Sequence, residues 1–198
     1  DVLGSRGLGD VYKRQELLQL KVMRSLNKDE GVRVDIVPTF LGAHALPDEY
    51  KERPDDYIDF LIRELLPVIQ RDSLAEFCDV FCEEGVFSIE QSRRLLTAAG
   101  DYGLLPKLHA DEIVPLGGAE LAAELGAVSA DHLLHASDAG IEAMARKGVV
   151  ATLLPLTAFA LKEPYARGRD MIDAGCAVAL ATDLNPGSCF SVSYTHLT

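Results

Sequence analysis

Apolar positions along the chain switch repeatedly between a three-to-four-residue step and short, near-continuous runs, which predicts helices alternating with β-strands. From Glu16, residues Leu17, Leu20, Val22, Met23 and Leu26 form one helical face, closed by Asn27, Lys28 and Asp29. The period then changes: Val32, Val34, Ile36 and Val37 lead through residues 38–43 to His44, a β-branched strand ending at a polar residue. Asp55 and Asp56 open the next helix, with Ile58, Leu61, Ile62, Leu65, Leu66 and Ile69 on its apolar side and a stop near Asp72. Residues 77–83 read as a strand, and Ser88 with Gln91 forms a capping box for a helix reaching about Gly100.

The same unit then recurs. Strands are expected at residues 104–109, 149–155 and 177–182, and a short strand with its loop at 127–134. Helices are expected at 119–125, at 141–147 behind a Ser137-Asp138 cap and ended by Gly148, and at 165–174 ended by Gly175. Residues 1–15 and 191–198 carry neither period. They read as extensions outside the folded part, 16–190, and resemble translated adapter DNA.

Strand ends fall near His44, Glu83, His109, His132, Pro155 and Asp183, at intervals of 23 to 39 residues, the size of a strand, a helix and two loops. Six βα units of this rhythm predict an α/β fold with a parallel sheet, either doubly wound or part of a (β/α)8 barrel. The barrel gains weight because polar residues gather at the carboxyl ends of the strands, where barrel enzymes keep their chemistry. On that reading two strands are missing and would have to precede residue 16.

Composition narrows the partners. With 198 residues, 48% hydrophobic and 25% charged, the chain is expected to bury a real core. A net charge of -12 argues against nucleic acid or an anionic membrane as partner, since both select basic surfaces. No apolar run approaches the roughly 20 residues of a membrane span, and no basic-then-apolar leader opens the sequence, so a cytoplasmic protein is expected. Cys78, Cys82, Cys176 and Cys189 form no CxxC pair and read as reduced, mostly buried thiols.

Histidine, aspartate and glutamate at converging strand ends are the ligands and acid–base groups of a hydrolytic metal site. Each also has a plainer reading. His44 taken alone is an ordinary hydrogen-bonded residue, Glu83 a solvated or salt-bridged loop residue of structural use, and His135 a surface residue. His196 lies in the terminal extension and carries no weight. Asp111 and Glu112 are adjacent and must point different ways, so at most one faces a reacting water. Residues 185–188, Asn-Pro-Gly-Ser, form a turn or present an amide, N–H groups and a hydroxyl to a substrate carboxylate.

Five segments together carry a specific resemblance: TFLGAHA at 39–45, DVFCE at 79–83, KLHADE at 107–112, SADHL at 129–133 and ATDLNPGS at 181–188. In this order they resemble the imidazolonepropionases, of the metal-dependent amidohydrolase superfamily. The resemblance implies a (β/α)8 barrel, present here as about strands three to eight. It also implies hydrolytic opening of 4-imidazolone-5-propanoate to N-formimidoyl-L-glutamate in histidine degradation, with one divalent metal, Zn2+ or Fe2+. By the family pattern His109 and Asp183 are metal ligands, and Glu112 and His132 handle the protons of water and leaving nitrogen. His44 contacts the imidazolone, and Asn185, Gly187 and Ser188 hold the substrate. The small-molecule substrate is the partner implied, and a homodimer is admitted for the full-length enzyme. The family's His-x-His pair occurs nowhere in these 198 residues, so the chain by itself is expected to be inactive. Two other readings stay open: another cyclic-amide hydrolase or deaminase of the same superfamily, and a non-catalytic doubly wound ligand-binding domain, which predicts Gly-rich phosphate loops that are not found.

Overall fold

A computed structural model of the chain describes residues 9–187 and 189–190. They divide into two compact units, one built from residues 9–81 and 90–106, the other from 82–89 and 107–190.

The first unit opens with helix α1, Gly9–Leu26. It starts seven residues before the apolar face that predicts it, because a nucleated helix extends cheaply through tolerant residues; Lys13 on this added part pairs with Glu64 at 2.7 Å. The expected strand from Val32 is not formed before β1, Thr39–Ala43. The peptide of Ile36 is instead held by the side chain of Asn27. Asn27 Nδ2 donates to the Ile36 carbonyl at 2.8 Å, and the Ile36 N–H donates to Asn27 Oδ1 at 3.0 Å. Pro38 then lacks an N–H for a ladder.

Strand β1 pairs in parallel with β2, Phe77–Cys82, and Thr39 lies opposite Phe77. Gly42 is required in β1 because a Cβ there would stand 2.5 Å from the ring of Phe40 and 3.1 Å from Leu61. Its carbonyl accepts a hydrogen bond from the Tyr57 hydroxyl at 2.8 Å.

The second predicted helix exists but is not uniform. It runs as α2, Pro54–Phe60, a π turn, Leu61–Leu65, and α3, Leu66–Arg71. Pro67 cannot donate to the carbonyl four residues back, and the wider turn just before it absorbs the mismatch. The face stays apolar throughout: Ile58, Leu61, Leu65, Leu66 and Ile69 are all buried. Helix α4, Ile89–Asp101, adds Leu95, Leu96 and Ala99 to the buried set.

The second unit, from residue 107 of β3 onward, carries four parallel strands in sequence order: β3, Leu105–Ala110; β4, Ser129–His132; β5, Val150–Leu153; and β6, Val178–Leu180. His109 lies opposite Asp131, Ala130 opposite Ala151, and Leu153 opposite Leu180. Between strands run α5, Gly118–Leu125, α6, Asp138–Lys147, α7, Pro155–Leu161, and α8, Gly168–Asp173. The α6 caps fall where expected: Ser137 Oγ accepts from the Gly140 N–H at 2.9 Å, and Gly148 closes the helix with a left-handed φ of 73°.

Helix α7 is a departure. Pro155 does not end a strand but occupies the first helical turn, where a missing N–H costs nothing. The four cysteines are free and buried, as composition predicts. No helix among the described residues is long and apolar enough to cross a membrane.

Candidate active site

Two clusters of polar residues stand at carboxyl ends of strands. In the first unit His44 follows β1 directly. Its Nε2 lies 3.4 Å from Oδ1 of the buried Asp79 on β2, and its ring stacks on Phe81 with centroids 6.3 Å apart. A buried carboxylate against an imidazole orients the ring.

The second unit gathers His109, Glu112, His132 and Asp183. His109 is the penultimate residue of β3, and its ring lies 5.2 Å from that of His132 at the end of β4. Glu112 follows three residues after His109 and is 7% exposed. Its Oε1 sits 3.4 Å from Nδ1 of the buried His132. Burial pushes the Glu112 carboxyl up to about 7; the positive field of His109 opposes this, and the negative charges of Asp183 and Glu83 add to it. A carboxyl titrating near neutrality can take and return a proton, and the adjacent imidazole can carry it onward.

Backbone geometry at these strand ends is unusual. Asp111, His132, Leu133 and Asp183 all have left-handed φ, between 51° and 72°. For non-glycine residues such conformations persist only where surrounding bonds enforce them. At β4 the enforcing bonds are visible: the Leu133 N–H donates to the Ala110 carbonyl at 3.0 Å, and the His135 N–H to the Asp111 carbonyl at 2.9 Å.

The two adjacent carboxylates point apart, and their partners separate their roles. Asp111 Oδ1 accepts from the N–H groups of Gly117 and Gly118 at 2.8 and 3.0 Å, and Oδ2 accepts from Ala119 at 2.9 Å, so it caps α5. Glu112 faces His132. Asp183 is braced by side chains: Oδ2 accepts from Thr157 Oγ1 at 2.8 Å, and Oδ1 from Asn185 Nδ2 at 3.0 Å. Imidazole together with an oriented carboxylate is a donor set that suits a divalent metal, and His109 and Asp183 supply one of each.

The loop after β6 is also internally bonded. Asn185 Nδ2 donates to the Asp183 carbonyl, and Asn185 Oδ1 accepts from the Gly187 N–H, both at 2.8 Å. Ser188 and His196 lie outside the described residues.

Two residues carry more than the sequence indicated. Glu83, expected as a solvated or salt-bridged loop residue of structural use, is 1% exposed and lies against the segment after β3. Thr157, within the unforeseen α7, is fully buried and braces Asp183; the run of helix formers behind Pro155 was the signal that could have located it. His135, expected at the surface, is half-buried with its Nε2 enclosed.

No family model matches the chain. Among curated proteins, the imidazolonepropionase of Bacteroides fragilis is 94% identical over 192 residues, covering 97% of this chain and 46% of that protein. The imidazolonepropionase of Bacteroides thetaiotaomicron is 78% identical, with the same coverage of both chains. That of Clostridium tetani is 63% identical, covering 97% of this chain and 45% of its own length. The chain thus spans about half the length of the curated relatives it matches. The matched 192 residues of 198 reach beyond 16–190 into the terminal segments.

Among solved structures, 5-methylcytosine deaminase from Klebsiella pneumoniae superposes with a TM-score of 0.65 at 15% identity, over 91% of this chain and 48% of that one. Guanine deaminase from C. acetobutylicum gives 0.57 at 15% identity, over 89% and 45%. An adenosine deaminase from Xanthomonas campestris with bound zinc gives 0.55 at 16%, over 88% and 41%. At such identities the likeness speaks for fold alone. The fold is α/β, that of an incomplete (β/α)8 barrel.

Proposed function

Because the chain belongs to the imidazolonepropionase family, we propose that it supplies the proton-handling part of a site that hydrolyses 4-imidazolone-5-propanoate to N-formimidoyl-L-glutamate. What supports this reading is the buried Glu112, titrating near 7 and facing His132 at 3.4 Å beside His109 and Asp183. Water oxygen adds to the ring carbonyl carbon, the carbonyl C–N bond breaks, and the departing nitrogen takes up a proton, so one water is consumed. Glu112 accepts the proton from water, and His132 passes a proton to the leaving nitrogen.

His109 and Asp183 would hold zinc or iron(II), which when bound supplies Lewis acidity and makes hydroxide available near neutral pH. The Thr157 and Asn185 bonds keep the Asp183 carboxylate turned for that task. His44, held by Asp79 and Phe81, contacts the imidazolone ring, and Asn185, Gly187 and Ser188 bind the rest of the substrate. The cytoplasm is the compartment proposed. A deaminase reading has only fold likeness behind it, whereas identity of 94% favours ring opening.

The test is formation of N-formimidoyl-L-glutamate by a full-length protein carrying this segment. Replacing Glu112 with Gln is expected to lower kcat by about 10²–10⁴-fold, with a smaller change in KM. Unchanged turnover in E112Q would remove Glu112 from the mechanism.

A further inference from the structure

Glu83 follows β2 and is 1% exposed. Its partners are backbone amides. Oε2 accepts from the N–H groups of Glu112 at 3.1 Å and Ile113 at 2.9 Å. Oε1 accepts from Val114 at 3.3 Å and from Glu84 at 2.9 Å. Three successive N–H groups from a segment some 30 residues away therefore converge on one buried carboxylate. Such a bond set fixes the backbone path at the point where Glu112 leaves it.

On the other side of the same segment, Asp111 holds residues 117–119. Glu112 thus stands between two carboxylate anchors, and its own N–H is one of the groups that Glu83 holds. Its facing of His132 Nδ1 at 3.4 Å is set by backbone that Glu83 holds.

We infer that Glu83 is a positioning residue, whose carboxylate grips the amides of residues 112–114 and so aims Glu112 at His132. The inference rests on the role proposed for Glu112, but its geometry is testable without turnover. Both oxygens of Glu83 are used as acceptors, so Gln cannot substitute: either orientation of its amide turns an NH2 group against N–H donors. Asp keeps two acceptor oxygens on a shorter arm and is expected to restore part of the hold.

The experiment is amide hydrogen exchange and 15N NMR on the whole chain, read together with the imidazole signals of His132. In the unaltered chain the amides of Glu112, Ile113 and Val114 are expected to be protected. In E83Q their exchange should rise at least about tenfold while amides of α6 keep their rates. The His132 signals should move as they do in E112Q, and E83D should recover part of both changes.

Unprotected amides at 112–114 in the unaltered chain would overturn the inference even if no Glu83 variant folds. So would His132 signals in E83Q that match the unaltered chain, since a purely structural Glu83 changes stability without releasing Glu112. Failure of the catalytic reading shows separately, as unchanged turnover in E112Q with these local effects still present.

Discussion

Asp111 and Asp183 make an instructive pair: both follow barrel strands, after β3 and β6, and both sit in the left-handed region with φ of 51°. Their donors differ. Asp111 is saturated by three main-chain N–H groups at the start of α5, whereas Asp183 is braced by a hydroxyl and a carboxamide from Thr157 and Asn185. The first arrangement spends the carboxylate on ending backbone cleanly; the second orients it while its charge still acts on Glu112. Residue type, strand-end position and backbone conformation are therefore shared by a helix cap and a proposed metal ligand. Only the identity of the donors distinguishes them.

The largest expected effect falls on the cap. D111A leaves three N–H groups without their acceptor, two of them on buried residues, and should cost about 4 kcal/mol in urea unfolding. If D111A were tolerated at under about 1 kcal/mol, the two aspartates would not differ as described.

Next comes a pH effect from Glu112, which lies between the two. Its folded-state carboxyl is raised from 4.5 to about 7, so between those values the folded chain holds more protons than the unfolded one. Stability is then highest at low pH for this group and falls as pH rises from about 4.5 through 7, by at most about 3 kcal/mol. Urea midpoints from pH 5 to 8 should show this slope, and E112Q should flatten it. A slope of the opposite sign would mean that the carboxyl is not raised.

The smallest stability change is expected at Asp183. D183N keeps the shape of the side chain, and its loss should stay within about 1 kcal/mol because the partners are side chains that can rotate. Affinity for Zn2+ measured by calorimetry should nevertheless fall at least about tenfold. Equal zinc affinity in D183N and the unaltered chain would place Asp183 with Asp111 as a structural residue.

How far the sequence could be read follows the same division. Helices α4, α5 and α6 and strands β2 to β6 were legible from period and caps, because those signals lie within a few residues of the element they report. The stretch from Val32 to Val37 has strand composition, but the side chain of Asn27 satisfies the Ile36 peptide first. The π turn before Pro67 and the helix begun by Pro155 both turn on a missing N–H, whose consequence depends on what the neighbouring carbonyls find. Glu83 looked solvated or salt-bridged because the amides that bury it belong to residues 112–114.

By itself the sequence determined the βα alternation, the strand-end positions of His44, His109, His132 and Asp183, and five motifs specific enough to indicate a family. Those are local properties of spacing and residue type. Tertiary structure alone decided which carboxylate does what: Asp111 caps α5, Glu83 grips a distant backbone, Asp183 is braced by α7, and Glu112 is left facing an imidazole. The physical reason is that a carboxylate's role is set by the donors and the burial around it, and both come from segments far away in the chain.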